Sequence, residues 1–168
     1  MRVLLFTILL IILTSCTTKS FEDLEKLAWS NLYELKIEKA HSLFVELNGI
    51  KKTEKNILGL AYTQAILGKE NYVRTLSENI NDSDLTYNYG FMVAGFKTYY
   101  EGNQENNPEF SMEEFKAFHN GGKFEAKKGF NIVIGEYENL KPKGIWEYYT
   151  LDKKLLRKVD SEKMWKNN

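Results

Sequence analysis

The chain has 168 residues with 43% hydrophobic and 14% aromatic side chains, enough apolar material for one packed domain or two small ones. Lysine plus arginine and aspartate plus glutamate number 23 each, so the net charge is zero and the basic excess of a nucleic-acid binder is absent. The single cysteine, Cys16, excludes an intrachain disulfide and leaves no second thiol for a metal or nucleophilic site.

In chain order, Arg2 gives a short positive start and is followed by an almost continuous apolar run, Val3 to Leu13. A helix that crosses the hydrocarbon core needs roughly 20 apolar residues, so this run has the length of a signal-peptide core instead. It ends in Leu13-Thr14-Ser15-Cys16, an aliphatic residue, two small residues and a cysteine. That segment resembles the bacterial lipobox. The resemblance implies removal of residues 1–15, a diacylglyceryl group on Cys16 and further acylation of the freed amine. One acyl chain binds a membrane marginally, whereas two or more hold it stably. Residues 16–19 would then be a lipidated N-terminus in the bacterial cell envelope. Thr17 is not the aspartate of inner-membrane retention, which favours the outer membrane under enteric sorting rules.

From 20 to 102 the periodicity is helical. Ser20-Phe21-Glu22-Asp23 reads as a capping box, and Phe21, Leu24, Ala28, Leu32 and Leu35 mark one apolar face. Ala40, Leu43, Phe44 and Leu47 predict a second helix that stops at Asn48-Gly49. Thr53 opens a third, carrying Ile57, Leu60, Ala61, Gln64, Ala65 and Leu67 and closed by Gly68. Tyr72, Leu76 and Ile80 predict a short fourth. Asn81-Asp82-Ser83 caps a fifth, whose apolar face is read as Tyr87, Phe91, Ala94 and Phe96. Short turns between helices imply antiparallel hairpins. Leu58-Gly59-Leu60-Ala61-Tyr62 followed by Leu67-Gly68-Lys69 is similar to a degenerate tetratricopeptide repeat; a plain helical-hairpin bundle is the alternative.

Residues 103–114 read as a polar, turn-rich linker, and 115–162 as a β-module before a polar tail at 163–168. Ile132 to Tyr137 and Gly144 to Tyr149 have strand composition, with a turn at 138–143. At an offset of 31, Phe115 to Lys127 aligns weakly with Trp146 to Lys158. The Gly135-Glu136-Tyr137 and Gly144-Ile145-Trp146-Glu147-Tyr148-Tyr149 units resemble the MORN-repeat family in its bacterial antitoxin-like form. Asn139-Leu140 lacks that family's turn glycine, and Asp152-Lys153 stands where Asp/Asn-Gly is usual. Residues 111–120 carry two competing signals: a capping box at Ser111-Met112-Glu113-Glu114 predicts a helix, while the repeat predicts a strand from 115. The strand is preferred here. The fold class expected is α+β, helical hairpins followed by a small antiparallel β-hairpin module.

Candidate chemistry is sparse. His41 reads as a partly exposed helix residue and His119 as a turn residue before Asn120-Gly121-Gly122; neither has a metal-ligand spacing. Glu113-Glu114 and Glu136/Glu138 read as surface charge, and no phosphate loop or nucleophile elbow occurs. No catalytic residue, cofactor or metal ligand is therefore assigned. Trp146, Tyr148 and Tyr137 are the candidate binding surface, with Trp146 and Tyr148 on one strand face and Glu147 and Tyr149 on the other; one of the two faces is expected to be core, and the alternative reading is that the aromatics pack hairpin on hairpin. The function expected is a membrane-anchored, non-enzymatic interaction module with a protein partner in the envelope. The alternatives are a glycan- or envelope-binding accessory lipoprotein that uses the C-terminal aromatics, and an immunity-type lipoprotein that neutralises a toxin.

Overall fold

A computed structural model describes residues 19–69, 71–102 and 110–161. The expected signal peptide, Cys16, residues 103–109 of the expected linker and the 163–168 tail lie outside the described residues. Among the described residues the fold is α+β, six helices followed by a four-stranded antiparallel sheet.

Helix α1 (Phe21–Tyr33) starts at the predicted cap, where the Ser20 hydroxyl accepts from the Asp23 amide at 3.1 Å and donates to the Asp23 carboxylate at 2.7 Å. It buries Leu24, Ala28, Trp29 and Leu32. Leu35, predicted on the same stripe, lies beyond the helix in a left-handed conformation (φ 58°). The Lys36 amide donates to the Asn31 carbonyl and that of Leu35 to Leu32, the pair of bonds that closes a Schellman end. Helix α2 (Ile37–Ile50) continues through Gly49, past the predicted stop, and buries Ile37, Ala40, Phe44 and Leu47.

Helix α3 (Glu54–Leu67) runs from the Thr53 cap to Gly68, whose φ of 60° ends it as the sequence predicts. It is the central helix: α1, α2 and the two helices that follow all pack on it. That position explains why Asn56, Thr63 and Gln64 are buried beside its apolar residues. A Cβ on Gly59 would stand 2.3 Å from the Phe44 ring, so glycine is what lets α2 and α3 approach. Helices α4 (Tyr72–Asn79) and α5 (Ser83–Glu101) follow. The Asp82 carboxylate caps α5 by accepting from the Leu85 amide at 3.0 Å. The core face of α5 is Tyr89, Val93 and Phe96, all fully buried, whereas Tyr87 and Phe91 of the predicted stripe are exposed. The stripe through Tyr87, Phe91 and Ala94 is thus the opposite side of the helix.

The strand preferred from 115 is a helix, α6 (Met112–Asn120). Ser111 caps it, accepting from the Glu114 amide at 3.3 Å. Phe115 and Phe118 are both buried, which three-residue spacing achieves on one helix face and a strand cannot. The 31-residue repeat therefore pairs helix with strand over 115–120 and is not a structural repeat there. Residues 112–114, read as linker, belong to this helix.

Gly121 and Gly122, with φ of 74° and 104°, turn the chain into β1 (Gly122–Lys128). Strands β2 (Asn131–Glu138), β3 (Lys141–Thr150) and β4 (Leu155–Asp160) complete a meander in the order β1-β2-β3-β4. The expected hairpin is its centre, β2–β3. Asn139 and Leu140 turn it with φ of 52° and 60°, values expected of Asn-Gly; here leucine takes the second place and is buried. The inner sheet face, Phe124, Ala126, Val133, Tyr137 and Trp146, is buried with α6 against it. Phe118 meets Tyr137 at 5.2 Å, and Phe115 meets Tyr62 of α3 at 5.1 Å and stacks on Phe96 of α5 at 4.6 Å. One continuous aromatic core thus runs from sheet to helices through α6.

Candidate functional site

The proposed binding aromatics occupy that core. Trp146 and Tyr137 are 6% and 5% exposed, in contact with each other at 5.1 Å and with Phe124 at 5.2 and 5.6 Å. A Cβ on Gly135 would lie 2.7 Å from the Trp146 ring and 2.8 Å from Phe124, so the missing side chain is what admits the indole. The Tyr137 hydroxyl donates to the Glu114 carboxylate at 3.1 Å, and Lys128 pairs with the same carboxylate at 2.6 Å. Glu114 is therefore a buried partner that ties α6 to the sheet, not the surface charge expected. Burial pushes the Tyr137 hydroxyl well above its usual range. Of the three candidates only Tyr148 is half-exposed, and the Arg157 guanidinium covers its ring at 4.2 Å. The alternation is as predicted, and the expected core face is the one that bears Trp146 and Tyr148.

The histidines also divide. His41 is half-buried on α2, as expected, with Nδ1 3.0 Å from the Thr63 hydroxyl of α3. His119 is not a turn residue: it is 4% exposed inside α6 and packed against Trp29 at 4.3 Å, Phe115 at 4.5 Å and Phe118 at 4.8 Å. Its Nδ1 lies 2.6 Å from the Phe115 carbonyl one turn back, and Nε2 is buried with no hydrogen-bond partner. Burial pushes the imidazole down to about 3, with the Lys55 charge nearby adding to the effect. At neutral pH it is an uncharged aromatic of the core. No group of three or more histidine, cysteine or carboxylate side chains able to hold a metal occurs among the described residues. No helix among them is long and apolar enough to cross a membrane.

The open site lies between α4 and α5. A groove of about 720 Å³ is lined by Tyr72, Val73, Ser77, Ile80 and Asn81 on one side and Ser83, Thr86, Tyr87, Gly90, Phe91 and Ala94 on the other. None of these carries a charge. Val73, Tyr87 and Phe91 are each more than half exposed, and the Tyr87 and Phe91 rings meet edge to face at 4.7 Å. Their i, i+4 spacing stacks them on one side of α5. Gly90 lies between them in sequence, and a Cβ there would meet nothing, so the floor is low and open. Of the charges that flank it, Arg74 pairs with Glu78 at 2.7 Å and the Asp82 carboxylate accepts from the Leu85 amide at 3.0 Å. Among the described residues its lining holds hydroxyls and one amide, and no carboxylate, lysine, histidine or cysteine. What it can do is receive an apolar helix or side chains between two helical walls.

A signal for this groove was present in the sequence. α5 carries two apolar stripes, Tyr89-Val93-Phe96 and Tyr87-Phe91-Ala94, where a helix with one buried face needs only one. Compared with models of known protein families, with curated proteins and with solved structures, the chain gives no match.

Proposed function

We propose that the chain is a lipoprotein precursor acylated at Cys16, whose folded part is a non-enzymatic interaction module of the bacterial envelope. The α4–α5 groove would be its docking site for an amphipathic helix of a protein partner. The observation that supports this is the uncharged groove with the exposed Tyr87–Phe91 pair. Exposed aromatics clustered beside an uncharged trough form the kind of surface that serves in interactions. Two helices that frame an apolar trough suit the helix-in-groove mode, in which anchors at i, i+3 and i+4 enter the trough. The glycan alternative loses support because Trp146 and Tyr137 are enclosed.

Two experiments test the two halves. Cells grown on labelled palmitate should label the wild-type chain, and a Cys16→Ala variant that still takes up label would remove the anchor. For the groove, a photo-crosslinking phenylalanine analogue at position 91 should give a discrete adduct in intact cells that Tyr87→Ser abolishes. An adduct that forms equally with Tyr87→Ser, or none at all, would contradict the docking site.

A further inference from the structure

We infer that the end of the sheet that carries the β1–β2 and β3–β4 turns docks on an anionic lipid surface. The register pairs Asn131 with Thr150, so the two turns stand side by side at one end of the sheet. Phe130, at the first turn, is 88% exposed, the most exposed large hydrophobic side chain among the described residues. Leu151 at the second turn and Leu155 and Leu156 at the start of β4 are each about half exposed. Lys127, Lys153 and Lys154 are exposed around them, and none belongs to an ion pair among the described residues. The one acid in these turns, Asp152, is held by the Thr150 hydroxyl.

Lys153 lies within the second turn. It sits at φ 64°, the left-handed region in which glycine is unstrained and a side chain is disfavoured. The turn is closed by the Lys153 amide, which donates to the Thr150 carbonyl at 3.0 Å, and the Lys153 side chain is exposed. The apolar groups stand at turn ends, where there is no matching trough. A protruding phenylalanine with leucines can bury itself in the yielding headgroup and acyl boundary of a bilayer. Lysines at the rim match anionic headgroups, an attraction that falls off within a Debye length. The opposite end of the sheet lacks this combination: there Lys143 lies within 4.0 Å of both Glu136 and Glu138. This contact extends the membrane location proposed above but does not rest on Cys16.

The chain from Ser20 onward contains every buried core residue among the described residues and lacks both the apolar leader and Cys16, so it isolates the contact. It should co-float with phosphatidylcholine vesicles that contain about one-third phosphatidylglycerol, and not with phosphatidylcholine alone, and high salt should release it. Phe130→Ser should weaken flotation several-fold. Lys153→Gly and Lys154→Gln should each weaken it about fivefold. Lys153→Gly also relieves the left-handed strain, so its unfolding midpoint should not fall, which separates lost binding from lost folding. Lys39→Gln on α2 should change nothing. Absence of binding, equal binding to neutral vesicles, or binding unaffected by Phe130→Ser and Lys153→Gly would overturn the inference. None of those outcomes would bear on palmitate at Cys16, so the two ideas fail separately.

Discussion

Two aromatic groups occupy opposite roles in this molecule. Trp146 and Tyr137 sit on strands in a pattern that suggests a ligand platform, yet they are packed beneath α6. Tyr87 and Phe91 sit on a helix stripe that suggests core, yet more than half of each is exposed. The difference lies in what stands opposite. The inner sheet face is covered by α6, while no described element covers the outer side of α4 and α5. Aromatic spacing reveals which residues share a face, and a neighbouring element decides whether that face becomes interior.

The contrast can be broken most strongly by acid. His119 is pushed down to about 3 in the fold and returns to about 6.5 when unfolded. Below pH 6.5 the unfolded chain binds a proton that the folded chain refuses, so stability falls as pH falls from about 6.5 toward 3. The slope from this one group approaches ~1.4 kcal/mol per pH unit. Chemical denaturation from pH 7 to 4 should show a steeper loss for the wild type than for His119→Leu, whose unfolded state gains no such proton. Equal slopes would mean that the imidazole is not sealed.

Next in size come the two glycines that admit rings. Gly135→Ala and Gly59→Ala would press a methyl group into Trp146 and Phe44, and each should cost about 1–3 kcal/mol in urea unfolding. Gly90→Ala, which meets nothing, should be neutral or slightly stabilising because alanine is the better helix former. Smallest should be the groove rims: Tyr87→Ser with Phe91→Ser should move stability by less than about 1 kcal/mol, since exposed side chains contribute little packing. Tyr87→Ser alone, with the crosslinking analogue at position 91, should nevertheless lose the adduct.

The legible features of the fold were those with local chemistry. Ser20, Thr53, Asp82 and Gly68 begin or end helices through side-chain caps or a left-handed glycine, and each lies where its sequence signal places it. The α+β order also follows from the change in periodicity. The illegible features depend on distant partners. Leu35 ends α1 in a glycine-like conformation because its amide and that of Lys36 reach back to the Leu32 and Asn31 carbonyls, and a leucine gives no warning of that. Leu140 tolerates the same conformation in a turn where it is buried. At 111–120 the local capping signal was the correct one, and the alignment with 146–151 misled because aromatic spacing resembles itself in helices and strands. The groove could have been read from the doubled stripe of α5, but which stripe faces inward depends on where α3 and α6 lie.

The most direct measurement is equilibrium urea unfolding of Trp146→Ser and Phe91→Ser beside the wild type. Trp146→Ser should lose about 3–5 kcal/mol as a large core side chain is deleted, while Phe91→Ser should stay within about 0.5 kcal/mol. A Phe91→Ser variant destabilised as much as Trp146→Ser, or a Trp146→Ser variant as stable as the wild type, would contradict the assignment of one pair to the core and the other to the surface.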